Sequence, residues 1–192
     1  MKVVEPIRNP KKLAQIKSML KGEENPRNYL LFSLGINFAL RVQDLLGLRV
    51  RDVLRDDKTI KDFLFVRERK RGRQRRIKIN ARAREALEYY FSKVQAKPDD
   101  YLFPSPRDRN RPLSRVQAYR LINQWVDAVG LTEGRYGTHT LRKTWGYQAR
   151  KHHGVPIELI MEKLGHESPA VTKRYIGITD DEIEDVEDEV VL

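Results

Sequence analysis

The sequence predicts an α+β domain, mainly α-helical, with one small antiparallel sheet. Three observations carry that expectation. Apolar residues recur at helical spacing over most of the chain, often behind an Asn-Pro or Ser-Pro start. Only residues 62–80 switch to a strand pattern, around a single glycine. There is no internal repeat and no low-complexity tract. At 192 residues and 40% apolar, the chain suits one domain with a real core.

Asn9-Pro10 and Asn25-Pro26 each place a capping side chain before a proline preorganised for the first helical turn. The first helix has Leu13, Ile16 and Leu20 on one face and Gly22 at its end. The second runs from about Pro26 to Ala39 and is apolar on most sides, so it is expected to be buried. A short third helix follows Arg41, with Leu45, Leu46 and Leu48 inward. Phe63 to Val66 and the alternating Ile77 and Ile79 read as two strands joined at Arg71-Gly72-Arg73, a hairpin with a basic tip. Asn80 caps the next helix. Residues 97–112 read as a loop anchored by Tyr101-Leu102-Phe103. Helices then start at Ser114, near Thr138, at Pro156 and at Ser168-Pro169. Thr179 to Glu182 resembles a capping box opening a final acidic helix, whose Ile183, Val186 and Val190 are expected to dock on protein. The division expected is a catalytic unit over 1–178 and an acidic segment over 179–192.

No run of about 18 uncharged apolar residues exists, and the start has no apolar secretory core, so no membrane partner is expected. The chain has no cysteine, which removes disulfides, thiolate metal sites and a Cys nucleophile and fits a cytoplasmic protein. The four histidines lack zinc spacing, so neither a metal nor another cofactor is expected. Net charge is +11, but eight acids fall after Thr179. The first 179 residues therefore hold 19 acids against 38 basic residues, a net of +19. That field favours a polyanion, and double-stranded DNA is the expected partner.

Six positions could carry phosphodiester chemistry: Arg41 in A-L-R-V-Q-D, Lys70 in R-E-R-K-R-G-R, His139 and Arg142 in H-T-L-R, His166 in L-G-H-E, and Tyr175 in T-K-R-Y. Two guanidiniums can each give a phosphate paired hydrogen bonds, which an ammonium cannot. A phenol attacks near neutral pH only with help from cations and a histidine base. His139 and Arg142, three apart, share a helix face. Asp44 stands three residues after Arg41 and is expected to orient it. With 38 basic residues, most arginines are by default surface or backbone-gripping groups, and most of the eight tyrosines are packing residues. Eight of the twelve residues from Arg67 to Lys78 are basic, so the hairpin arginines Arg69, Arg71, Arg73, Arg75 and Arg76, with Lys143 elsewhere, are expected to grip DNA.

Taken in order, these residues resemble the active-site set of the tyrosine recombinases, the phage-integrase family. Y-G-T-H-T-L-R-K-T-W fits the family's H-x-L-R-H-T/K-T pattern, and L-G-H-E-S-P-A-V-T-K-R-Y fits its L-G-H-x-S-x-x-x-T-x-x-Y pattern. A-L-R-V-Q-D departs from G-x-R-x-x-E, with Ala39 for Gly and Asp44 for Glu. Lys70-Arg71-Gly72 stands where the family often has a hairpin Lys. The resemblance covers about Lys11 to Ile178. It implies a metal-free, ATP-free enzyme: Tyr175 forms a 3′-phosphotyrosyl link, Arg41 and Arg142 hold the phosphate, His139 and His166 assist, and Lys70 protonates the leaving oxygen. It also implies a tetramer on DNA and allows a monomer when the chain is free. The family's usual N-terminal core-binding domain does not match here, as in a short inversion-type recombinase or a fragment. A type IB topoisomerase-like enzyme and an inert DNA-binding protein are the competing readings.

Overall fold

Five of the helices begin where a side chain takes up an orphan backbone donor. Asn9 accepts from the Lys11 amide, Asn25 from Asn28, Asn80 from Ala83, Ser114 from Gln117 and Ser168 from Val171. The computed structural model describes residues 4–70 and 72–178 together with Asp188, Val190 and Val191. Arg71 and most of the acidic segment, with the docked helix expected there, lie outside the described residues. The described chain runs α1 (Pro10–Gly22), α2 (Pro26–Phe38), α3 (Val42–Leu46), α4 (Val50–Val53), β1 (Phe63–Arg67), β2 (Gln74–Lys78), α5 (Ala81–Lys93), α6 (Arg115–Ala128), α7 (Thr140–His153), α8 (Ile157–Leu164) and α9 (Pro169–Ile176).

The apolar circumference of α2 is explained by its place: it packs against α1, α5 and α7, and Leu30, Leu31, Phe32, Leu34 and Phe38 are buried. Phe32 meets Trp125 of α6 edge to face, with ring centroids 5.9 Å apart. Leu102 and Phe103 anchor the long loop in this core. A second, smaller cluster of Ala39, Ala149, Ile157, Ile160, Leu164, Ile176 and Ile178 joins α7, α8 and α9.

β1 and β2 pair antiparallel, Phe63 opposite Lys78 and Arg67 opposite Gln74. Gly72 turns the hairpin at φ +63°. The expected apolar run in β1 divides by face: Leu64 and Val66 go inward, while Phe65 is 58% exposed. The one-turn α4 has no counterpart in the sequence reading, because four residues show no period. Nor does the role of residues 4–8, which form a strap along α7. Thr140 Oγ1 donates to the Glu5 carbonyl at 3.0 Å, and the Ile7 amide donates to Thr144 Oγ1 at 2.8 Å. Gln148 Nε2 reaches the carbonyls of Ile7 and Arg8. Residues 140, 144 and 148 are one stripe of the helix, so the strap fixes α7 from the side.

Candidate active site

The site starts at the end of α2. Ala39 adopts the left-handed conformation (φ 54°), a place suited to glycine, and turns the chain so that Arg41 precedes α3. The same turn aims the Ala39 carbonyl at Arg142 Nη1, and Arg142 Nη2 donates to the Leu164 carbonyl at the end of α8. Arg142 is only 2% exposed. Two backbone acceptors therefore hold its guanidinium in one plane.

Arg41 is oriented by a carboxylate, but not the expected one. Its Nη1 lies 2.8 Å from Glu68 Oε2, and Glu68 Oε1 accepts from Arg75 Nη1 at 3.0 Å. Asp44 accepts the Arg69 backbone N–H at 3.0 Å, and its Oδ2 is buried without a partner among the described residues. Asp44 thus braces the hairpin. Closeness in sequence favoured Asp44; the hairpin brings Glu68 in from the side. Glu68 is the sole acid among the twelve residues 67–78, and that isolation was the available signal. Burial raises its pKa, yet the hydrogen bonds from Arg75 and Arg41 outweigh this and hold it below the usual carboxylate range.

His139, at the N-cap of α7, places Nδ1 3.3 Å from Tyr175 Oη. Burial lowers its pKa, and the cations Arg142, Lys143, Arg115 and Arg41 lower it further, so the ring is neutral near pH 7. His166 follows Gly165, the left-handed cap of α8, and lies against the Tyr175 ring at 4.7 Å between centroids. Its Nδ1 is 3.2 Å from Thr172 Oγ1, whose own proton goes to the Ser168 carbonyl. That network assigns the ring proton to Nδ1 and makes Nε2 the acceptor in the neutral ring. Burial raises the Tyr175 pKa, and Arg142 and Arg41 pull it back only in part.

Five of the six expected positions therefore converge: Arg41, His139, Arg142, His166 and Tyr175. Lys70 does not join them; it is exposed at the hairpin turn. Two expected DNA-gripping groups are corrected. Lys143 is 4% exposed, with Nζ 4.9 Å from the centre of the Tyr175 ring, and Arg75 is tied to Glu68 and to the Lys163 carbonyl. Arg69, Arg73 and Arg76 are exposed, Arg76 stacking on Phe63 at 3.6 Å. Arg71 lies outside the described residues. Among the described residues no group of three or more His, Cys, Asp or Glu could hold a metal, and no helix is long and apolar enough to cross a membrane.

A tyrosine set among two arginines and two histidines, on a helical domain with a basic hairpin, defines a class of strand-transfer enzyme. The chain belongs to the phage integrase family, whose pattern it matches over residues 10–182. It is 42% identical over 181 residues to a probable integrase/recombinase of Bacillus subtilis called YoeC, covering 94% of this chain and 93% of that protein. It is 31% identical over 173 residues to tyrosine recombinase XerA of Pyrococcus horikoshii, covering 88% of this chain but 58% of that protein. Most of the relatives compared are thus longer, and the chain spans about half to two thirds of their length. Solved structures share the fold: the XerA recombinase crystal structure superposes with a TM-score of 0.74 at 21% identity, covering 98% of this chain and 66% of that one. A lambda integrase dimer bound to a core site gives 0.65 at 20% identity, covering 94% and 50%.

Proposed function

We propose that this site-specific recombinase cuts and rejoins duplex DNA through a bond between Tyr175 and a 3′ phosphate. The observation that carries this is Tyr175 Oη at 3.3 Å from His139 Nδ1, with Arg142 and Arg41 beside it. A neutral His139 takes the phenolic proton as Oη bonds to phosphorus. Arg41 and Arg142 hold the non-bridging oxygens as charge builds on them. His166, protonated on both nitrogens in the complex, donates its Nε2–H to the same phosphate. The bond to the 5′ oxygen breaks, and Lys70, carried in by its hairpin, gives that oxygen a proton. In the reverse sense, a 5′ hydroxyl of a partner strand attacks the phosphotyrosine, so no metal or nucleotide cofactor is consumed. Arg69, Arg73 and Arg76 grip the backbone, and four copies act on two duplexes in the cytoplasm.

A pool of nicked duplexes, from which the leaving strand diffuses away, tests the reading. The parent protein should give an adduct that survives denaturation, in chelator as in buffer, while Tyr175→Phe gives none and binds DNA as before. An adduct from the Phe variant would remove Tyr175 as nucleophile, and loss of the parent's adduct in chelator would overturn metal independence.

A further inference from the structure

Between β2 and α8 lies a cleft of about 260 Å³, lined by Arg73, Gln74, Arg75 and Arg76 on one side and Leu159, Glu162 and Lys163 on the other. We propose that this cleft binds a second DNA backbone phosphate, held by Lys163 with Arg73 and Arg76, beside the phosphate that Tyr175 attacks. The inference rests on the reading of DNA strand transfer given above and names a contact beyond it.

Charge is the first argument. Lys163 occupies the last turn of α8 and is half-buried, with Nζ 5.8 Å from the centre of the Trp145 ring. A lysine in such a place usually extends its amine to water or meets a carboxylate. Its charged neighbours from the packed elements are instead Arg75 of β2 and Arg142 of α7. Glu68 is already shared between Arg41 and Arg75. Among the described residues Glu162 is the one acid lining the cleft, and it is exposed. The negative end of α8 does not absorb the charge either, because the carbonyls of Lys163 and Leu164 take Arg75 and Arg142. Among the described residues, cations thus outnumber the carboxylates that face them, and a half-buried surplus of this kind fits anions.

Size and position agree. The cleft has room for a phosphate, since a water occupies about 30 Å³ of liquid. It is also continuous with the proposed centre, because Arg75 lines it and also holds Glu68, the partner of Arg41. Burial, with Arg75 and Arg142, brings the Lys163 pKa down to about 8. The ammonium, and with it the phosphate contact, is therefore lost as pH rises through that value.

The test measures duplex binding over a range of salt and from pH 7 to 9, with Tyr175→Phe as the parent so that no cleavage intervenes. The parent should bind about five- to tenfold more weakly at pH 9 than at pH 7. Lys163→Met keeps the stem on Trp145, and should lower the slope of log affinity against log salt by about one unit and lose the pH dependence. Lys163→Arg should keep the slope and also lose the pH dependence, which separates the charge from any folding defect. Wild-type slope and pH dependence in Lys163→Met would overturn the phosphate site alone. So would pH dependence that disappears in Lys143→Met instead, since burial lowers that amine too. A parent that binds no duplex would bring down the strand-transfer reading as well.

Discussion

The two hydrophobic clusters of this molecule are built by different means. The larger, centred on Phe32 and Trp125, gathers apolar side chains from α1, α2, α5 and α6 and is held by burial. The smaller has seven buried members under Tyr175 and is cross-tied by polar groups. Arg142 reaches two carbonyls, Arg75 a third, and His166 meets Thr172. Burial is strong but has no direction, whereas a hydrogen bond specifies distance and angle. Apolar packing thus supplies the fold, and directed polar ties supply the geometry of the site.

The largest effect should come from breaking the framework. Phe32→Ala removes a fully buried ring and should cost about 3–5 kcal/mol in urea unfolding. Cleavage per folded molecule should hardly change. If it collapsed while the protein remained folded, the division between the halves would be wrong.

Glu68→Ala should cost nearly as much, toward the lower end of the roughly 3–5 kcal/mol for a broken buried ion pair, since Arg41 keeps some contact with water. Here cleavage should fall steeply and DNA affinity much less. Because the folded-state pKa of Glu68 is depressed, its stabilisation is present above the unfolded value of about 4.3 and is lost as pH falls through the folded one. Unfolding curves of the parent should show that loss below about pH 4, and those of Glu68→Ala should lack it. Full cleavage by this variant would return the orienting role to another group.

The smallest change in stability should come from Gly146→Ala. An added Cβ would stand 2.5 Å from Ile176 Cγ2, a β-branched group that moves only with its backbone. Overpacking costs about 1–3 kcal/mol, and the gain in helix propensity returns about 1. Yet α9 must shift, and Tyr175 with it, so adduct formation should drop far more than stability. An unchanged rate would show that the α7–α9 contact does not set the position of the nucleophile.

Much of this was legible in the sequence, because some signals are local. Asn-Pro steps, the apolar circumference of α2 and the L-G-H-E-S-P block act within a few residues of themselves, and even Thr172 of that block has a visible task in holding His166. What escaped depends on residues far apart in the chain. Whether a cation is exposed cannot be read from its type, so Lys143 and Arg75 were grouped with the gripping residues. Glu68 lies 27 positions from Arg41, while Asp44 lies three away, and only the hairpin's docking decides between them. The strap was unreadable for the same reason: residues 4–8 carry no pattern, and their partners are Arg135 and the stripe of α7.

The way Arg142 is held has a consequence for how this site tolerates sequence change. Both of its anchors are peptide carbonyls, which every amino acid possesses. Substitution at 39 or 164 cannot delete an acceptor; it can only redirect it by bending the chain. The hold on Arg142 is thus filtered by backbone conformation, while packing in the smaller cluster limits the side chains at 39 and 164 separately. An alanine can stand at 39, in a turn that favours glycine, without the arginine losing its hold.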